Sequence, residues 1–253
     1  LTGSSLLFDR AAVDGAEFGV AGFLYRNNLI MYDRRENRSL WPQMSRGGRC
    51  GPEIGTELEQ VAAVDMRWSG WKELHPDSRV VSRETGHDRN YRFNPYPDGG
   101  SDGLDATNPG GGIDLPFPMP EPIDERRPPR ERVLGIPDGE GGGIAYPFGL
   151  LAEGPARQVL TDTLTGDPVL VFWSSDDRAA TAFHASNFED TDAFEVVDGR
   201  FTDRATESTW TIEGRAVSGP RAGERLEPIA RSYVAFWFAW AAFQPETEIW
   251  QPR

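Results

Sequence analysis

Residues 33–81 and residues 203–250 carry the same blocks in the same order, and that duplication constrains the fold more than any other feature of the chain. The first stretch reads DRRENRSLW, then CGPEIGTELEQV, then WSGWKELHPDSRVV. The second reads DRATESTW, then SGPRAGERLEPI, then WFAWAAFQPETEIW. Asp33-Arg34 aligns with Asp203-Arg204 and Trp41 with Trp210. Gly51-Pro52, Gly55 and Leu58-Glu59 match Gly219-Pro220, Gly223 and Leu226-Glu227 at the same internal spacing. Trp68, Trp71 and Pro76 match Trp237, Trp240 and Pro245 in the same way. Two tandem copies of one unit are the expectation. Two repeats are too few for a solenoid, so they are expected to pack as one pseudo-symmetric body.

Local signals give the unit its elements. Arg26-Asn27-Asn28 lies between two apolar runs, and asparagine tolerates positive φ, so a tight hairpin is expected there. Asp198-Gly199 supplies a stronger turn signal at the matching place. Gly51-Pro52 and Gly219-Pro220 open turns, with proline fixing φ and glycine freeing it. Residues 65–74 and 232–243 read as helices, each carrying two tryptophans three apart on one face. Ser232 is the expected N-cap of the second helix. Each helix is followed by a proline, Pro76 or Pro245. Residues 79–81 and 248–250 then read as short strands. Upstream of the second copy, residues 133–136 and 144–146 form an expected hairpin, and residues 169–173 an apolar strand.

The fold class expected is mainly β with a few short helices (α+β), built from two copies of a β-hairpin/strand/helix/strand unit. Residues 1–82 form the first copy and residues 133–253 the second. Residues 83–132, rich in proline and glycine, form a strap between them, too long for an ordinary linker.

Bulk composition narrows the function. The chain has 253 residues and a net charge of −14, which disfavours nucleic acid and anionic membranes as partners. Lys72 is its only lysine; every other cation is arginine. Many carboxylates with one lysine suggest a halophilic protein kept soluble by a hydrated acidic surface. Cys50 stands alone, so no disulfide forms within the chain. The longest apolar run, residues 233–243, is 11 residues, too short to span a bilayer as a helix. Asn37-Arg38-Ser39 is a glycosylation sequon on an expected turn.

Residues shared by both copies are expected to hold the fold; residues where the copies differ are the candidates for function. Lys72, Glu73 and His75 stand where the second copy has Ala241, Ala242 and Gln244. Trp71 and His75, four apart, are expected to share a helix face. His87, Asp88, Asn90, Tyr91, Arg92 and Tyr96 follow with no counterpart in the second copy. His75, His87, Asp88 and Arg92 are the candidate catalytic groups, and Trp71, Lys72, Tyr91 and Tyr96 the candidate ligand contacts. No nucleophile elbow, P-loop, dinucleotide fingerprint or zinc-protease motif is present. No cofactor and no transition-metal site is expected from three histidines without a cysteine pair. Asp98, Asp102, Asp105 and Asp114 could hold calcium only loosely, since EF-hand spacing is lacking.

The blocks VLGI, GIAYPFGLL, GDPVLVFW, LTGSSLLFDR, FGVAGFLYRNNLIMYDR, SLWPQM, WKELHPDSRVV and FWFAWAAFQPETEIW together resemble the DUF3179 family of bacteria and archaea. The resemblance implies no activity, because the family has none assigned. In that family a VLG…AYP segment ending in Tyr-Cys-Pro leads into the LTGS motif; here Leu1 stands inside that motif. The repeat points the same way, since only the second copy has a segment like residues 133–173 ahead of its hairpin. Roughly 40 residues of the first copy are therefore expected before Leu1, or from a neighbouring subunit by strand exchange. The functional expectation is an exported or cell-surface structural or binding protein, with self-association as its partner mode. The alternative is an enzyme using a cleft between the copies.

Overall fold

A computed structural model describes residues 2–92, 123–186 and 193–252. Tyr96 and the aspartates at 98, 102, 105 and 114 lie outside the described residues. The chain runs β1 (Leu7–Phe8), β2 (Phe18–Tyr25), β3 (Asn28–Asp33), β4 (Leu40–Pro42), β5 (Gln60–Val61) and helix α1 (Trp68–Leu74). It resumes with β6 (Arg132–Pro137), β7 (Gly142–Pro147), α2 (Phe148–Ala152), β8 (Arg157–Leu164), β9 (Asp167–Ser174) and β10 (Ala179–His184). It ends with β11 (Phe194–Val197), β12 (Arg200–Asp203), β13 (Thr209–Trp210), β14 (Ala216–Ser218), β15 (Tyr233–Phe236), α3 (Trp237–Phe243) and β16 (Glu246–Ile249). The protein is mainly β, with short helices and several small sheets.

Strand β9 sits at the centre. Its sequence reads VLVFW because both faces are buried, so alternation gives way to a continuous apolar run. Val169, Val171 and Trp173 pack towards β6, β7 and Phe148. Leu170 and Phe172 point the other way, onto Phe183, Phe201 and Trp210. Sheet β10-β9-β8 thus lies between sheet β15-β6-β7-β16 and sheet β11-β12-β13-β14.

Both expected tight hairpins form. Arg26 and Asn27 take φ of 51° and 60°, joining β2 to β3, and Asp198 and Gly199 take 48° and 72°, joining β11 to β12. Two left-handed residues in succession match the right-handed twist of the flanking strands. The β6–β7 hairpin also forms, antiparallel from Val133↔Pro147 to Pro137↔Gly143.

The same set of bonds surrounds Asp33 and Asp203. Trp41 Nε1 donates to Asp33 Oδ2 at 3.0 Å, and Trp210 Nε1 to Asp203 Oδ2 at 3.1 Å. Phe18 meets the Trp41 ring edge-on at 5.8 Å, and Phe194 meets Trp210 at 5.7 Å. Ser39 Oγ accepts the Glu53 N–H, and Ser208 Oγ accepts the Arg221 N–H, each at 3.0 Å. Gly51 and Gly219 take φ of +97° and +82°, and a Cβ on either would come within 2.7 Å of the Ser39 or Ser208 Cα. Only glycine fits these two positions.

Three expected elements differ. Residues 233–236 form strand β15 rather than the first turn of a helix, because Tyr233, Val234, Ala235 and Phe236 pair antiparallel with β6. The helix starts at Trp237 after an extended Phe236, and Ser232 donates its hydroxyl to the Ile229 carbonyl instead of capping. Helix α1 likewise starts at Trp68, after an extended Arg67. Residues 79–81 form no strand, whereas β16, which follows α3, pairs in parallel with β7.

The two stretches interlock. The Arg67 N–H donates to the Asp177 carbonyl at 2.7 Å, and the Phe236 N–H to the Thr2 carbonyl at 2.8 Å. Val64, Met66 and Leu74 pack on the cluster of Phe172 and Trp210, while Leu6 and Met44 join the cluster around α3.

Burial raises the Asp33 and Asp203 pKa values, but hydrogen bonds outweigh it and hold both below the ordinary carboxylate value. For Asp33 these come from Arg35, Trp41 and the Ser39 N–H; for Asp203 from Trp210 and Thr206. A depressed carboxylate contributes stability that is complete above its unfolded pKa and is lost as pH falls through the folded one. Asp33→Asn and Asp203→Asn should each cost about 1–3 kcal/mol near neutral pH. In denaturant melts the deficit should shrink as pH drops below the ordinary aspartate value of 3.8.

Candidate functional site

The end of α1 builds the first constellation. His75 leaves the helix at φ −133° and ψ 68°, with its N–H still bonded to the Trp71 carbonyl. That conformation folds the imidazole back over the Trp71 indole, ring centres 4.2 Å apart and tilted 36°. Gln244 ends α3 with nearly the same angles, −129° and 68°. Each indole also donates seven residues on: Trp71 to Ser78 Oγ at 2.8 Å, Trp240 to Thr247 Oγ1 at 3.0 Å.

His75 differs from Gln244 in what it reaches. Its Nε2 lies 2.9 Å from both carboxylate oxygens of Glu213, in the turn between β13 and β14. The pair joins the first stretch to the second, and the imidazole is about a third exposed. A carboxylate on one ring nitrogen fixes the orientation of the ring, the arrangement that general-base histidines use.

Among the described residues, no hydrogen bond joins the other sequence candidates to this pair. Lys72 and Glu73 are exposed on α1. His87, Asp88, Tyr91 and Arg92 are exposed too, and among the described residues the hydrogen bonds of His87, Tyr91 and Arg92 stay within their own loop. Tyr91 Oη meets Thr85 Oγ1 at 2.8 Å, and the Arg92 N–H reaches Asn90 Oδ1 at 3.1 Å. Asn37 is exposed in a turn, as a glycosylation acceptor requires.

A second constellation was not legible as a site in the sequence. A cleft of about 560 Å³ opens where the first residues of the chain meet β6. Thr2, Ser4, Ser5, Gln43, Asp65 and Arg132 supply its polar wall. Gly3 adopts φ +62° against the Phe236 ring, which sets Thr2 and Ser4 side by side with their hydroxyls 2.8 Å apart. Asn28, fully buried, donates to Thr2 Oγ1 and Gln43 Oε1 and accepts the Met44 N–H. Arg132 is buried, stacked 5.3 Å from the Phe148 ring centre, and pairs through Nη2 with Asp65. Its Nε is also buried and has no hydrogen-bond partner among the described residues. The small polar run Thr2-Gly3-Ser4-Ser5 was the one signal available, and it reads equally well as a turn.

Among the described residues, no group of three or more His, Cys, Asp or Glu side chains could hold a metal ion. No helix among them is long and apolar enough to cross a membrane.

A family model for proteins of unknown function, DUF3179, matches residues 1–247. The chain belongs to the DUF3179 family. No curated protein matches it, and no solved structure does. The DUF3179 match covers the first stretch, all but the last three residues of the second, and both constellations.

The His75–Glu213 pair is partly exposed, so its coupling should be modest. A double-mutant cycle with His75→Ala and Glu213→Ala should return about 0.2–1 kcal/mol in denaturant melts. The same His75→Ala change should alter Trp71 emission by unstacking its ring.

Proposed function

We propose that this DUF3179 protein is a non-catalytic structural or binding subunit of an exported, cell-surface assembly in a salt-adapted organism. The observation that carries the reading is the contrast between α1 and α3. Trp237 and Trp240 of α3 are fully buried under β6, β7, β15 and β16. Trp68 of α1 is 47% exposed, and Val80 and Val81, where the second stretch has β16, are 70% and 89% exposed. Read as a tandem duplication, with residues 1–82 and 133–253 as the copies, no hairpin among the described residues covers the first helix as β6–β7 covers the second.

That face suits one kind of occupant: a β-hairpin of the β6–β7 type. Such a hairpin would add a strand beside residues 79–81, as β7 does beside β16, and apply apolar side chains to Trp68. It needs a glycine over Trp71, because a Cβ at Gly135 would come within 2.2 Å of the Trp240 ring. The exposed sequon at Asn37 and the net charge of −14 support an extracellular, high-salt setting.

The second reading is an enzyme. The carboxylate-bound imidazole of His75 favours it, with Trp71 as a wall and residues 87–92 as substrate contacts. Against it stands the separation of His87, Asp88 and Arg92 from His75 in the hydrogen-bond pattern.

A synthetic peptide copying residues 131–149 tests the first reading. It should bind with micromolar affinity and shift indole emission to the blue. Binding should be lost when the peptide carries Gly135→Leu, or when the protein carries Val80→Arg with Trp68→Glu. No binding by the wild-type pair would overturn the acceptor face. A concentration-dependent dimer in light scattering would make the neighbouring copy its occupant.

The salt-adapted setting has its own check. Thermal stability should rise between about 0.1 M and 3 M KCl, as the screening length falls from ~10 Å to below ~3 Å and carboxylate repulsion collapses. A flat or falling Tm over that range would remove it.

A further inference from the structure

The cleft around Arg132 has the composition of a binding site, and we infer that it takes an uncharged saccharide through adjacent hydroxyl groups. Charge comes first. Arg132 and Asp65 neutralise each other, so the cleft offers no net attraction to an ion. The net charge of −14 works against an anionic ligand as well. What remains is a dense set of donors and acceptors close to one another.

Arg132 Nε is a buried donor without a protein partner, and a buried polar group left unpaired is costly. Arg132 binds Asp65 Oδ1 through Nη2. One edge of the guanidinium is therefore only half used, and Asp65 Oδ2 keeps acceptor capacity. Ser4 donates its hydroxyl to Gln43 Oε1 and Thr2 donates to Ser4, so both oxygens remain as acceptors, and Asn28 with Gln43 fixes their positions. A carboxylate with spare acceptor capacity beside two hydroxyl oxygens that accept matches a vicinal diol, whose two adjacent hydroxyls can both donate. Val20, Leu24 and Leu29 line the cleft with the apolar surface that the C–H face of a sugar ring requires.

The site also has the rigidity that recognition needs. Thr2 is tied to β15 through the Phe236 N–H, Gly3 is held against the Phe236 ring, and Arg132 is stacked on Phe148. Little ordering remains to be done when a ligand arrives.

Saturation-transfer NMR on the full chain with D-glucose, D-galactose, D-mannose, cellobiose and D-glucuronate tests the inference. At least one neutral sugar should show transfer at its ring protons, with D-glucuronate no tighter than the best of them. Ser5→Trp places a large ring on an exposed lining position and should weaken binding about tenfold or more without touching the core. Arg132→Lys, which keeps the charge but loses the planar guanidinium that holds Asp65, should weaken it similarly, with circular dichroism confirming that it folds. Absence of transfer from every neutral sugar, or transfer undiminished in Ser5→Trp, overturns the site. Preference for D-glucuronate by about tenfold overturns the ligand class.

Discussion

A buried carboxylate that accepts an indole N–H anchors this fold at two places. Asp33 and Asp203 are both buried, and each also takes a backbone N–H from the loop that follows, from Ser39 and Thr206. An ionised carboxylate away from water is stable only when such donors replace its hydration. The indole is then fixed in position, its ring presented edge-on to Phe18 or Phe194. Everything downstream follows from that placement. The serine between each Asp and Trp anchors the Gly-Pro turn, and the turn returns the chain to Leu58 or Leu226, beside the tryptophan.

Those anchors hold each stretch together; backbone bonds ahead of the helices hold each stretch to the rest of the chain. The residue before each helix is extended and donates its N–H to a distant part of the chain, Arg67 to Asp177 after β9 and Phe236 to Thr2 ahead of β1. Gly70 marks how closely α1 approaches, since a Cβ there would sit 2.2 Å from Asp177 Oδ1. Neither helix therefore has its own complete core. That arrangement puts the polar N-terminal residues of the chain next to β6 and β15 and creates the Arg132 cleft as a consequence of the packing.

The turns, the hairpins and the central strand were legible in the sequence because each rests on local chemistry. Asn27, Gly199, Gly51 and Gly219 permit a backbone conformation that few other residues tolerate. The helix boundaries were less legible for a physical reason. In YVAFWFAWAAF every position is apolar, so periodicity cannot separate strand from helix, and pairing with β6 decides it. The Arg132 cleft was less legible still. Its members come from residues 2–5, 43, 65 and 132, and only the tertiary packing brings them together. His75 stood out by contrast with Gln244, yet its partner Glu213 has no sequence signal at all.

Helices α1 and α3 differ most in how deeply each is buried. Both helices end with the same backbone angles and the same tryptophan hydrogen bond. Ala241, Ala242 and Phe243 let α3 sink into the core. Lys72 and Glu73 prevent α1 from doing so, because burying either would strip a charge of water with no buried partner to replace it. Yet α1 keeps Trp68 on its surface, with Val80 and Val81 close behind in sequence, and exposed apolar groups of this size favour a covering surface. A helix too charged to bury and too apolar to leave bare carries the pattern on which the proposed acceptor face rests, with the charges where its rim would be.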